Sequence, residues 1–114
     1  MFRVFGWIGL AALLAGGPLA GAAGAQEGTY LRKGKELIEL RVQDGRLFCT
    51  RQSDGFEMCH GMIRGEDGSW RGRQMRHPAM KFMKFNGTVT FTGDGLKIQG
   101  CALGICRAET WVKQ

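Results

Sequence analysis

Few residues in this chain are of types that do chemistry. Met75, His77, Met80 and Met83 lie close together, and His60 and Met62 precede them by two predicted strands. Thioether and imidazole are soft-to-borderline ligands that suit Cu(I), so these four positions are a candidate metal set. Met also fills irregular gaps in cores, and His77 stands directly before Pro78, which would end a strand there. Arg71 and Arg73 fall on one strand face, where guanidinium groups could grip an anionic headgroup. Arg76, Lys81 and Lys84 continue that basic stretch, with Phe82 and Phe85 interleaved. The segment Ala102-Leu103-Gly104-Ile105 forms an apolar loop between Cys101 and Cys106, which makes Leu103 and Ile105 candidate ligand or partner contacts. A catalytic site needs a nucleophile, a base and an orienting group together. The two histidines have no plausible nucleophile beside them, and Ser53 and Ser69 both adjoin turns. The expectation is a protein without catalysis and without a cofactor.

The elements that must position these residues begin after an N-terminal segment of different character. Arg3 is its only charge before Glu27. An apolar run over 4–19 ends in small residues at Ala23-Gly24-Ala25. That arrangement reads as a signal peptide over 1–25, its apolar middle a signal helix, cleaved after Ala25. The domain would then be 26–114, with no span across a membrane and a periplasmic or secreted location. Removing Arg3 from the sixteen Lys and Arg leaves fifteen against ten Asp and Glu, a net charge of +5. Outside the cytoplasm, a basic domain finds acidic lipid, glycolipid or envelope proteins as partners, and nucleic acid is not expected.

A domain this short usually needs cross-links. Cys49, Cys59, Cys101 and Cys106 supply an even count in an exported chain, which reads as two disulfides. Of the three possible pairings, Cys49–Cys59 with Cys101–Cys106 fits best. Each pair flanks a turn symmetrically and can face across an antiparallel hairpin.

Turn signals recur at short intervals: Asp44-Gly45, Asp54-Gly55, Asp67-Gly68, Asn86-Gly87 and Gly93-Asp94-Gly95. Between them the pattern has period two. Ile38, Leu40 and Val42 alternate with Glu39, Arg41 and Gln43; Phe56, Met58 and Met62 share a face with His60. Ala108, Thr110 and Val112 oppose Glu109, Trp111 and Lys113, although Trp111 belongs out of water. The faces between Met75 and Phe85 do not alternate cleanly. Seven or eight short strands with tight turns predict an all-β, antiparallel up-and-down barrel, closed so that no edge is left free.

The carboxyl end resembles a known family. Gly93-Asp94-Gly95-Leu96-Lys97-Ile98-Gln99-Gly100-Cys101, then Cys106-Arg107 and Glu109-Thr110-Trp111, is similar to the closing segment of domain of unknown function 2147. Gly28-Thr29-Tyr30, the run from Asp44 to Cys49, Cys59-His60-Gly61-Met62, and Gly68-Ser69-Trp70 leading to His77-Pro78 look like its earlier parts. The resemblance implies a small exported bacterial protein with a lipocalin-like barrel, and it brings no established functional residues. Family members carry a longer polar stretch in the middle and a Trp where Tyr30 stands here. A shortened barrel with a smaller cavity is expected. The leading functional expectation is binding of an apolar or anionic amphipathic envelope ligand. The alternatives are an interaction module with a filled interior and a Cu(I) carrier.

Overall fold

The computed structural model describes residues 26–114 as eight antiparallel strands closed into a barrel. The signal-peptide expectation over 1–25 lies outside the described residues. In chain order the strands are β1 (Gly28–Arg32), β2 (Glu36–Gln43), β3 (Arg46–Arg51), β4 (Glu57–Arg64), β5 (Trp70–His77), β6 (Met80–Phe91), β7 (Gly95–Ala102) and β8 (Ile105–Lys113). Each pairs with its neighbour in sequence. The ring closes where Tyr30, Leu31 and Arg32 of β1 lie opposite Lys113, Val112 and Trp111 of β8. Among the described residues every strand has a neighbour on each side, and the seam between β4 and β5 is the thinnest, paired at Ile63–Arg71 and Arg64–Trp70. Among the described residues no helix is long and apolar enough to cross a membrane.

Alternation decides which side chains go in. Ile38 and Leu40 of β2, Leu47 and Cys49 of β3, Val89 of β6, Leu96 and Ile98 of β7, and Trp111 of β8 are buried together in one core. Asp44 and Gly45 have φ of 52° and 74°, the two left-handed residues that a type I′ hairpin requires. Both expected disulfides are present, with Cα–Cα distances of 4.6 Å for Cys49–Cys59 and 4.1 Å for Cys101–Cys106. The first is wholly inside the barrel; the second braces an exposed hairpin. Two disulfides are the mark of a domain that folds in an oxidising, extracytoplasmic environment.

Three local readings are corrected. Asn86-Gly87 is no turn but the middle of β6, the longest strand. The chain instead reverses at Pro78-Ala79, between His77 and Met80. Glycine stands at position 87 for interior space: a Cβ there would lie 2.1 Å from Met75 Cε and 2.7 Å from its Sδ. His60 does not share a face with Met58 and Met62. The β3–β4 ladder shifts register beside Cys49–Cys59, so Met58 and Cys59 are both buried and His60 turns outward against Phe48. On β8 the inward face is Glu109 and Trp111, while Val112 faces water. The carboxylate goes inward because a buried cation awaits it.

Up-and-down topology sorts the turns by end. The turns after β1, β3, β5 and β7 gather at one end, here termed the mouth; those after β2, β4 and β6 gather at the other. The far end is closed by polar contacts from the start of the domain. Tyr30 Oη donates to the Gln26 carbonyl at 2.8 Å, Trp70 Nε1 donates to Gln26 Oε1 at 3.3 Å, and the Val42 amide donates to Glu27 at 2.8 Å.

Candidate functional site

The mouth half of the barrel holds a cavity of about 770 Å³. That lies within the range of sites that enclose small molecules, roughly 300–1,000 Å³. Its wall is mainly apolar: Met58, Met75, Met83, Phe85 and Ile98 inside, with Met80, Leu103 and Ile105 toward the rim. Four of the chain's six methionines therefore meet here. Their unbranched thioethers give a surface that can adapt to a ligand's shape. Gly100 contributes bare backbone; a Cβ at that position would meet Met75 Sδ at 3.4 Å, ordinary contact.

Beneath this wall sits a buried ion network. Arg32 is 2% exposed. Its Nε donates to Glu109 Oε1 at 2.5 Å and its Nη1 to Glu36 Oε1 at 2.5 Å. Arg51 adds a bond to Glu36 at 3.3 Å and grips Asp54 at 2.7 Å. Trp111 Nε1 donates to Glu109 at 2.9 Å. A buried cation with only one carboxylate would leave donors unmet, so the fork of Arg32 between Glu36 and Glu109 is what makes its burial tolerable. Burial pushes the Glu109 carboxyl up, but the bonds from Arg32 and Trp111 and the Arg32 charge outweigh it and hold it below the usual range. The Arg32 bond likewise lowers Glu36.

His77 joins the network at the cavity wall. The Ala79 amide donates to its Nδ1 at 3.0 Å, and Arg32 Nη2 faces its Nε2 at 3.3 Å. Burial, then the Arg32 charge, pushes its pKa down. The ring is thus neutral at neutral pH. With Nδ1 accepting from the Ala79 amide, the neutral ring carries its proton on Nε2, beside the Arg32 guanidinium. A metal ion at His77 would have to displace one of those donors and sit beside a guanidinium. Among the described residues no group of three or more His, Cys, Asp or Glu could hold a metal ion.

The charges that line the cavity are Lys33, Arg76 and Arg107, with Glu109 as the one carboxylate. Glu109 is already satisfied by Arg32 and Trp111, so the unmatched field at the mouth is positive. The expected anion grip at Arg71 and Arg73 lies elsewhere. Both are exposed on the outer wall of β5. Arg71 holds Asp67 of the preceding turn at 2.9 Å, which belongs to the far end. Neither lines the cavity. Met75, His77, Met80 and Met83, by contrast, do converge on it, as do Leu103 and Ile105 from the neighbouring hairpin.

Sequence reasoning missed Lys33, Arg107 and the Arg32–Glu109 pair. A signal for them existed: the even-odd rule for turns puts Lys33 and the Leu103 hairpin at one end once the strands are counted. No family model, no curated protein and no solved structure matches this chain.

Proposed function

We propose that this protein is an exported, non-catalytic binding barrel whose cavity takes an apolar chain bearing an anionic head. The observation that carries the reading is the cavity itself, apolar in its depth and rimmed by Lys33, Arg76 and Arg107. Methionine and phenylalanine side chains would cover the ligand's tail; the rim cations would meet its head. The donors already facing His77 favour an anionic amphiphile over Cu(I) in the same space. Its place of action is the periplasm or the outside of the cell, for which the two disulfides and the N-terminal segment argue. The resemblance to domain of unknown function 2147 belongs to the same reading, supported by the closed barrel.

The test is displacement of a fluorescent polyene fatty acid in detergent-free buffer. The fatty acid should bind, and its methyl ester should bind more weakly. Gly100→Leu, which puts a side chain into the cavity without backbone strain, should abolish both. Arg76→Ala with Arg107→Ala should weaken the acid alone. Absence of binding by the unaltered protein, or binding untouched by Gly100→Leu, would sink the reading.

A further inference from the structure

The mouth carries apolar side chains that stay largely in water, Leu103 and Ile105 at the cavity rim and Phe82 outside its lining. Leu103 and Phe82 are each 90% exposed, and Ile105 is 63% exposed. Leu103 and Ile105 lie on the β7–β8 hairpin, and Phe82 lies two residues into β6, just past the β5–β6 turn. Both turns belong to the mouth end.

The tip itself breaks two rules at once. Leu103 has φ of 54° and Gly104 78°, the left-handed pair of a type I′ turn. Asn or Asp fills the first of those positions most cheaply, and a branched apolar side chain is costly there. Here a leucine occupies it and points into water, on a hairpin braced by Cys101–Cys106. Strain and exposure together, at a pinned tip, are the pattern of a contact surface.

Charge tells what that surface meets. The far-end turns carry Asp44, Glu66, Asp67 and Asp94, offset by Arg46, Arg64, Arg71 and Lys113 at the adjoining strand ends. The mouth carries Lys33 and Lys35 in its first turn and Arg76, Lys81, Lys84 and Arg107 beside the others. Its acidic groups are already engaged: Asp54 with Arg51, Glu36 and Glu109 with Arg32, and Glu57 with Arg41 and His60. The far end is thus close to charge balance, while the mouth keeps a surplus of positive charge, its cations ringing the apolar tips.

We infer that the mouth docks on an anionic lipid bilayer, with Leu103, Ile105 and Phe82 entering the boundary between headgroups and acyl chains and the cation ring resting on the phosphates. This is the interfacial arrangement of apolar side chains below and basic ones at headgroup level. It deepens the proposed function by naming where the barrel would load and unload, since docking would turn the cavity opening toward the lipid.

The experiment is flotation of the oxidised protein with vesicles of phosphatidylglycerol and phosphatidylethanolamine, against vesicles of phosphatidylcholine alone. Variants are compared with the unaltered protein purified in the same way, so the N-terminal segment contributes equally to each. Binding to the anionic vesicles is expected, with at least tenfold less on phosphatidylcholine. Leu103→Ser with Ile105→Ser should lose on the order of tenfold or more, from lost apolar burial. Lys81→Gln with Lys84→Gln should lose roughly fivefold per charge. All of these positions are exposed, and an unchanged thermal melt shows that the variants fold. Equal binding to both vesicle types, no binding to either, or binding indifferent to the Leu103 and Ile105 changes would overturn the inference. So would a dimer in solution that the same double change turns into monomer, because the tips would then be an interface between copies. Fatty acid binding without vesicle docking refutes this inference alone. Docking without fatty acid binding, with Gly100→Leu docking normally, refutes the cavity reading alone.

Discussion

Replacing Arg32 by Met tests whether the ion network holds the mouth together. Methionine keeps most of the stem volume and removes the charge. The Arg32 side chain is 3% exposed, whereas its partners Glu36 and Glu109 are 25% and 28% exposed. Breaking a buried pair costs about 3–5 kcal/mol because the partner is left charged and unpaired. Water reaches a quarter of each carboxylate, so the low end applies, about 3 kcal/mol. For a domain of this size that lowers the melting temperature by roughly 12–24 °C. The pH dependence gives a sharper sign. In the unaltered protein both carboxyls lie below their ordinary values. The stability they supply is fully present above about pH 4.3, the value in an unfolded chain, and is lost as pH falls through the lower folded values. In the Arg32→Met protein burial, the largest influence on Glu109, still pushes it up, and the groups that lower it are reduced to the Trp111 bond and the Lys33 charge. Its folded state then takes up a proton more readily than its unfolded state. The variant is therefore most disadvantaged at neutral pH, and the gap between the two proteins narrows as pH falls from 7 toward 5. Thermal melts followed by circular dichroism across that range measure both effects. A loss under about 1 kcal/mol at pH 7, the worth of a solvated pair, or a gap that widens on acidification, would refute the argument.

The two disulfides should respond to graded reductant in a fixed order. Cys101–Cys106 sits on an exposed hairpin and should be alkylated first, while Cys49–Cys59 is wholly buried and should open only as the barrel unfolds. With sequence separations of 5 and 10, their loss removes about 2 and about 3 kcal/mol of chain-entropy stabilisation. Mass spectrometry after trapping reads the order, and early alkylation of Cys49 would contradict it. At the hairpin tip, Leu103→Asn should stabilise the fold by about 1 kcal/mol, because Asn tolerates the left-handed conformation, while weakening vesicle docking. A denaturant titration showing no gain would remove the strain argument for that tip.

The barrel was readable because its determinants are local. Period-two runs such as Ile38 to Val42, an Asp-Gly turn at 44–45, and cysteines placed symmetrically about 54–55 each fix one hairpin without reference to the rest. Hairpins joined in sequence order then leave closure of β1 on β8 as the one long-range step. The misreadings share a different cause. Asn86-Gly87 has the composition of a turn, yet that glycine exists to admit Met75 from the neighbouring strand, a demand set by a residue twelve positions away in sequence. His60 faces out because a register shift at the buried disulfide reverses the alternation, and no composition signals a bulge.

The candidate site was legible only in part for the same reason. Met75 to Met83 stood out because they are near one another along the chain, and they do line the cavity. Arg71 and Arg73 stood out on the same grounds and point the other way, since a stretch of basic residues along a strand says nothing about which end of the barrel it serves. What assigns charge to function here is the alternation of turns between two ends. Lys33 lies far in sequence from Arg107, yet one topological rule puts both at the mouth, and it puts Asp44, Asp67 and Asp94 at the opposite pole. A surplus of positive charge around strained, exposed apolar tips at one end is a property of the ring as a whole. No single strand carries it, and it becomes visible only once the eight strands are counted in order.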